Sequence, residues 1–470
     1  ENGLMPNLSA IMQQSYVSEI DCYVEGPGQG WASFMTGKKP SKHGIYYWKV
    51  YGGMNSDDLP DDKIWDILGK HDITTGIVNL SYTYPPRHIN GFMISGLGGG
   101  LYPSEGIVYS YPENLIEDLE RDAQGYIWGL KRVPGNIRAQ KQYLESLIVM
   151  TRKRGEACLY LKDEFSPDFF MVVFRGADAI QHSFWDLLCG EPIQPERNAL
   201  IPLINQYYTL LDGYIGRLWN HRDADFNFIV SDHGFGPTRS ILYINEYLST
   251  TDLLYKNKSL STLVYNVMLR KLKPFLLRTY RKHLARHRAA RSLDKYRSSR
   301  MPKVQTAIDW DRTLVYGRCP YGLCYNKKKV DSPDLRASVF SRVSDVLGAL
   351  HHPDTNEKVF RNLVPKEEFG LRRHGERAPD IIFEMPDESI LVYPDMFLGK
   401  KVEHFQRPEE ATMGMALGSH RRKGFFVSSR WLLGKTGSNR EINITDLYPT
   451  VLSIYGVPIT YDIDGRSLFN

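Results

Sequence analysis

The sequence lacks the features of a membrane protein or a disulfide-framed one. No apolar run approaches the roughly 18–20 residues a membrane-spanning helix needs, so no transmembrane segment is expected. Cysteine is scarce: Cys22, Cys158, Cys189, Cys319 and Cys324 are odd in number and scattered over 470 residues. Only Cys319 and Cys324 lie close, and no second pair completes a zinc site. These cysteines read as reduced thiols of a cytosolic, cytoplasmic protein. No signal peptide, internal repeat or low-complexity tract is visible outside one basic stretch. The chain opens on Glu1 rather than Met, so residues upstream are expected. The net charge of +5 is modest for this length and gives no ground for a specific nucleic-acid partner.

What is present is a globular composition, 42% hydrophobic and 12% aromatic. The length accommodates one large α/β domain with an insertion, or two to three ordinary domains. Apolar runs at Thr75–Leu80, Phe169–Phe174 and Phe226–Val230 read as strands. Helical patterns at residues 114–123, 137–154 and 199–220 alternate with them, the second ending near Gly155. That alternation predicts an α/β fold, a mainly parallel sheet between helical layers. Residues 1–240 and 411–470 are assigned to this core. Residues 241–410 are assigned to an inserted cap region over the sheet's active end, with a helix at 332–350 and strands near 313–316, 323–325 and 380–384.

Within the insertion, the arm at 263–303 carries thirteen Lys and Arg residues against one acid, Asp294. Val264, Met268, Leu272, Phe275 and Leu276 share one helical face, and Pro274 interrupts it. Such an arm either contacts an anionic surface or polyanion or is a solvated helix lying on the core.

The chemistry gathers at strand ends, where open α/β sheets place their ligands. Asn227 to Ser231 is an apolar strand that stops at Asp232-His233, and the turn Gly234-Phe235-Gly236-Pro237 follows. Carboxylate oxygen beside imidazole nitrogen suits zinc, manganese or iron. The plainer alternative is a turn Asp with an incidental His. After the strand at 169–174, Asp178 and His182 are four apart, one turn of a helix and one face. The plainer alternative there is a capping Asp and a half-buried His. His420 sits in a small-residue loop, Gly418-Ser419-His420-Arg421-Arg422-Lys423-Gly424, before a strand at 425–428. A lone loop His is usually incidental. Glu25-Gly26-Pro27-Gly28-Gln29-Gly30 leads into the helical Trp31-Ala32-Ser33-Phe34-Met35-Thr36. It reads as an anion-favouring loop at a helix N-terminus or as an ordinary loop.

Taken in order, these motifs resemble the alkaline phosphatase superfamily. They are the Gly-rich loop with Trp31 to Gly37 and His43-Gly44-Ile45, then Asp178-x-x-x-His182, Ser231-Asp232-His233-Gly234, Gly418-Ser419-His420 and Asp464-Gly465-Arg466. The likeness is strongest to the predicted phosphohydrolase/phosphomutase group allied to type I phosphodiesterases and nucleotide pyrophosphatases. It implies a metal-dependent phosphoric-ester hydrolase of small phosphorylated substrates, with two divalent ions, zinc or manganese, side by side. Asp178, His182 and His420 would hold one ion, and Asp232 and His233 would help hold the other. Two such ions stabilise the attacking and leaving oxygens of a displacement at phosphorus.

The sequence departs from that pattern twice. The family places a further metal-binding Asp at the end of a strand before the helix at Pro6, upstream of these residues. Either the sequence continues upstream or the second ion's site is incomplete. The family's nucleophilic Thr or Ser falls at Pro27 or, with a two-residue insertion, at Glu25. No Ser or Thr lies between Ser18 and Ser33. Glu25 remains as a metal ligand or a base for water. The alternative to a hydrolase is therefore a catalytically degenerate relative that binds a phosphorylated ligand or anionic surface. A sulfatase is disfavoured because no cysteine stands at the nucleophile place.

Overall fold

The computed structural model describes residues 3–23, 28–46, 55–59, 61–96, 108–130, 133, 135–221, 224–257, 306–369, 378–398, 402–411, 416–430, 441–460 and 462–469. The basic arm at 263–303, Glu25 and Pro27 lie outside these residues.

The helices are α1 (Pro6–Gln14), α2 (Gln29–Thr36), α3 (Pro40–His43), α4 (Ile64–Gly69), α5 (Leu115–Asp122) and α6 (Ile137–Phe165). They continue with α7 (Gly176–Leu188), α8 (Ile201–Trp219), α9 (Ile244–Leu248), α10 (Pro333–Gly348) and α11 (Leu447–Ile454). The strands begin with β1 (Tyr16–Asp21), β2 (Thr75–Leu80), β3 (Gly91–Ser95), β4 (Ser110–Tyr111), β5 (Phe169–Val172), β6 (Phe228–Val230) and β7 (Gly234–Pro237). Next come β8 (Ser240–Tyr243), β9 (Val315–Cys319), β10 (Gly322–Tyr325), β11 (Asn362–Pro365), β12 (Ile381–Glu384), β13 (Ile390–Tyr393) and β14 (Phe405–Gln406). The last are β15 (Gly418–Arg421), β16 (Lys423–Ser428) and β17 (Ile442–Asn443).

Two units form. The first comprises Glu1–Trp48, Gly53–Pro237 and Thr412–Asn470, the second Lys49–Gly52 and Thr238–Ala411. In the first, one mixed sheet runs β17-β1-β16-β6 and another runs β4-β3-β2-β5. The β1–β17, β2–β3 and β2–β5 pairs are parallel. The β1–β16, β16–β6 and β3–β4 pairs are antiparallel.

Strand β2 is buried along its whole length, as expected of a strand covered on both faces. Its alternation sorts the layers. Ile77 packs in the cluster of Trp31, Met35, Trp65 and Tyr448, from α2, α4 and α11. Val78 turns the other way, towards Leu115, Leu119, Ala157 and Leu161 of α5 and α6.

Helix α6 does not end near Gly155 as the sequence suggested; it runs to Phe165. The reason is packing. A Cβ on Gly155 would come within 2.4 Å of the Tyr214 ring on α8. The glycine therefore lets two helices approach, and the neighbouring helix overrides its poor intrinsic propensity.

The motif residue His43 serves the fold. It is wholly buried, and its Nδ1 accepts the Ile45 N–H at 3.1 Å. A neutral ring with Nδ1 as acceptor carries its proton on Nε2, so His43 donates to Ser33 Oγ at 3.0 Å. Burial, reinforced by the Lys38 charge, holds its pKa down at about 3 against an ordinary 6.5. The unfolded chain takes a proton here that the folded chain refuses. Stability is therefore intact above about pH 6.5 and falls towards pH 3, at up to about 1.4 kcal/mol per pH unit. His43→Gln is expected to flatten that part of the stability curve relative to the parent chain. Denaturant titrations across that range would check it, and identical slopes in both chains would refute it.

In the second unit, β8 pairs in parallel with β13 and antiparallel with β14. A separate antiparallel sheet runs β11-β12-β10-β9. Val315, Leu323, Ile381 and Phe383 pack with Val339, Val343 and Leu347 of α10. Alternation along β9 turns Tyr316 and Arg318 away from Val315 and Gly317, and Cys324 on β10 lies opposite Tyr316.

Candidate metal centre

Three strand-end segments of the first unit build one cluster. Strand β5 leads into α7, which carries Asp178 and His182 on one face. Strand β6 ends before Ser231, and Asp232 and His233 follow directly. Strand β15 brings His420. Gly234–Pro237, expected as a turn, and His420, expected in a loop, both lie in strands, paired so that His420 is opposite Phe235 and Arg421 opposite Gly234. Glycine has low strand propensity, so three glycines in eight residues hide this ribbon from pattern reading. They also make it possible. A Cβ on Gly234 would fall 1.9 Å from the Lys423 carbonyl oxygen, and one on Gly418 2.3 Å from the Gln181 carbonyl oxygen. The second approach seats β15 on α7, where the Leu417 N–H also donates to the His182 carbonyl at 2.9 Å. Gly30 plays the same part for α2: its Cβ would meet the Asp232 carbonyl oxygen at 2.5 Å.

The donor atoms converge on Asp178. Its Oδ1 is 3.4 Å from His182 Nε2, 3.3 Å from His420 Nε2 and 3.8 Å from His233 Nε2. His182 Nε2 and His420 Nε2 are 3.1 Å apart. Asp232 Oδ1 is 3.7 Å from His233 Nε2, so His233 lies between the two acids. Asp178, His233 and His420 each offer a ligand atom, all within 4.8 Å of one another. The His233 and His420 rings stack at 3.6 Å.

Proton placement tests whether this set suits a cation. His182 Nδ1 donates to the Gly418 carbonyl at 2.9 Å, and His233 Nδ1 to the Gly234 carbonyl at 3.0 Å. A carbonyl only accepts, so both rings carry a proton on Nδ1 and turn Nε2 to the cluster. Ligating histidines are fixed in the same way, by a hydrogen bond at the other nitrogen. Lone pairs converging on a carboxylate need a proton or a cation among them. For zinc bonds of about 2.0–2.1 Å, a tetrahedron's edge is roughly 3.3 Å. The 3.1–3.4 Å separations among Asp178, His182 and His420 match it. The residues fit a divalent metal.

The charges agree with that geometry. Burial would raise the Asp178 pKa, but hydrogen bonds from His182 and His420 and the Arg175 guanidinium hold it well below the usual carboxylate range. For His182, burial works against protonation, yet the Asp178 hydrogen bond and charge outweigh it and raise the pKa. Burial, with His233 and His182 beside it, holds His420 down at about 3. Burial and the like charge of Asp178 push Asp232 up.

Two neighbours carried no role in the sequence reading. Arg175 lies at the strand end, its guanidinium 3.7 Å from Asp178 Oδ2 and one third exposed; a cation three residues before the acid was the available signal. Phe235 packs against His182 at 4.7 Å between ring centroids and stacks on Trp185 at 5.8 Å, bracing the imidazoles. Ser33, the first hydroxyl after the expected nucleophile place, is wholly buried inside α2 and bonded to His43.

The family model described as type I phosphodiesterase / nucleotide pyrophosphatase matches residues 1–404. Among curated protein sequences none matches. Among solved structures, wild-type alkaline phosphatase PafA is similar at 12% identity and a TM-score of 0.51, over 98% of this chain and 92% of that one. That likeness places the chain in the alkaline phosphatase fold. Murine ectonucleotide pyrophosphatase/phosphodiesterase 5 is similar at 13% identity and a TM-score of 0.48, covering 98% and 92%. Phosphonoacetate hydrolase from Sinorhizobium meliloti 1021, in complex with phosphonoformate, is similar at 14% identity and 0.48, covering 95% and 89%.

Proposed function

The chain belongs to the type I phosphodiesterase / nucleotide pyrophosphatase family, and from that premise we propose that it is a metal-dependent hydrolase of phosphoric esters, acting on diesters in preference to monoesters. The observation that carries this reading is the convergence of three imidazole Nε2 atoms on Asp178 Oδ1, with two of those rings fixed by carbonyl partners at Nδ1. Asp178, His182 and His420 would hold one divalent ion, and Asp232 with His233 would contribute to a second. An ion there would supply Lewis acidity at a phosphoryl oxygen and a more acidic water. Arg175, at the rim, adds a fixed positive charge that attracts the anionic ester. Zinc and manganese suit the mixed nitrogen and oxygen donors.

A second reading, a relative that binds a phosphorylated ligand without chemistry, draws on the missing hydroxyl between Ser18 and Ser33. One assay separates the two. The purified chain, loaded with zinc or manganese, is offered bis(para-nitrophenyl) phosphate and para-nitrophenyl phosphate. The hydrolase reading expects diester turnover that exceeds monoester turnover and stops with a chelator. Ester binding with no metal-dependent release of nitrophenol from either compound would favour the second reading and end the first. Contact of residues 263–303 with an anionic surface rests on their charge alone. Among the described residues, no helix is long and apolar enough to cross a membrane.

A further inference from the structure

The first residues after β5 bring a positive charge to the edge of the metal centre. Arg175 Nη2 lies 3.7 Å from Asp178 Oδ2, whereas the three imidazoles face Asp178 Oδ1. We propose that Arg175 and Tyr143 together hold one phosphoryl oxygen of the ester, the guanidinium and the phenol both donating to it. This pairing rests on the hydrolase reading and adds two residues outside the ligand set.

The donors are unspent. Among the described residues, neither the Arg175 side chain nor the Tyr143 hydroxyl makes a hydrogen bond. The 3.7 Å approach to Asp178 is an ion pair, longer than a hydrogen bond. An arginine that serves the fold looks different: Arg197 commits its donors to Asp186, Gln140 and the Ser183 carbonyl. A guanidinium carries five N–H donors in a planar fork that matches phosphate oxygens. Arg175 is one third exposed, so it is open to an ester entering from solvent.

Tyr143 stands at the same corner. It projects from α6, half-buried, and packs against the cluster of Leu144, Leu147, Ile180 and Phe184. Phe174 and Ala177, on either side of Arg175-Gly176, pack against the same cluster. Burial pushes the Tyr143 pKa up to about 12, with the Arg175 guanidinium lowering it and the Asp178 carboxylate raising it. The phenol therefore keeps its proton at neutral pH and is a neutral donor beside a charged one.

The backbone beneath Arg175 is fixed on both sides. The register of β2 shifts between Val78 and Leu80, and Asn79 there takes a φ of 63°. Its Nδ2 donates to the Val173 carbonyl at 2.6 Å, two residues before Arg175. Such irregularities re-aim side chains beside active sites. On the other side, Gly176 rests on Tyr207: a Cβ there would fall 2.4 Å from the buried hydroxyl. Less order then remains to be imposed on binding. A diester suits this arrangement. Its two non-bridging oxygens share one negative charge, and with one at the Asp178 cluster the other is left for a cation and a neutral donor.

Two measurements on the full chain loaded with manganese test the pair. Isothermal titration uses dibenzyl phosphate, a diester without an activated leaving group, and the rate assay uses bis(para-nitrophenyl) phosphate. Arg175→Ala is expected to weaken dibenzyl phosphate about thirtyfold and Tyr143→Phe about tenfold, as for hydrogen bonds to a charged group. KM should rise in step, with parental manganese content. The double variant should lose less than the product of the two, because one oxygen receives both donors. Tyr143→Phe keeps the ring and carries the test if Arg175→Ala fails to fold. Parental affinity in the folded variants overturns the proposal. So does manganese content that falls with affinity, since Arg175 would then act only by supporting Asp178. Binding without turnover in the parent chain ends the hydrolase reading and leaves the pair standing. Turnover with unchanged KM in the variants ends the pair and leaves the hydrolase. A parent chain that neither binds nor turns over ends both.

Discussion

Asp178→Asn is expected to lower kcat/KM towards a phosphodiester by about a thousandfold and to strip most bound divalent metal. The reason is the position of one oxygen. Asp178 Oδ1 is within 3.3–3.8 Å of the Nε2 atoms of His182, His420 and His233. It is the negative atom that the three nitrogens share. The substitution keeps the side chain's shape and removes its charge, so a divalent ion would face neutral donors where it now faces a carboxylate. Losing a hydrogen-bond partner of a ligand already costs about 10–100-fold in affinity, and losing the ligand's charge costs more. A thousandfold in rate corresponds to about 4 kcal/mol, within the several kcal/mol a bound ion contributes to a developing charge. Metal content by mass spectrometry and initial rates check both parts. Melting in chelator separates them from misfolding, because a partly exposed residue replaced by its isostere should leave the apo chain folded. Parental metal content and turnover in the variant would remove Asp178 from the site.

The parts of this site that pattern reading reaches are those built on local periodicity. Asp178 and His182 share a face because four residues make about one helical turn, and α7 spans both. Asp232 and His233 follow an apolar strand in both sequence and structure. His420 is different. Its strand contains glycine and serine, its partner strand lies about 180 residues earlier, and nothing within a short window marks either as extended. Only the superfamily resemblance joined His420 to the others. The grouping it implied is also simpler than the geometry, since His233 is as near to Asp178 as to Asp232. Gly155 misled in the opposite sense: locally a helix breaker, it serves an interhelical contact that the sequence alone cannot weigh. The long apolar runs carried the rest, since Ile77 and Val78 must face opposite layers wherever β2 is covered on both sides.

Arg197→Met is expected to destabilise the chain by about 3–5 kcal/mol, the cost of breaking a buried ion pair on one side. Arg197 and Asp186 are both almost wholly buried. Arg197 Nε donates to Asp186 Oδ2 at 2.8 Å and Nη2 to Oδ1 at 3.0 Å, a two-pronged pair. Nη1 reaches Gln140 Oε1 on α6 at 3.0 Å, and Nη2 also reaches the Ser183 carbonyl at 2.9 Å. The guanidinium lies 5.3 Å from the centroid of Phe184, the residue whose φ of −133° and ψ of 26° break the helical path of α7. Arg197 thus fastens the kink two residues after His182. Its loss leaves the Asp186 carboxylate buried without its counter-charge, which costs more than the pair contributed. The double variant Arg197→Met/Asp186→Leu should therefore recover much of the loss, since replacing both partners with apolar groups is often near neutral. Denaturant unfolding of the two single variants and the double one measures the coupling. With typical domains stable by only about 5–15 kcal/mol, the single variant should melt many degrees lower. It should also hold divalent metal less tightly while still folded, because Arg197 also holds the Ser183 carbonyl, next to His182. A single-variant loss below about 1 kcal/mol, the range of an exposed pair, would show that the kink is held by something other than Arg197.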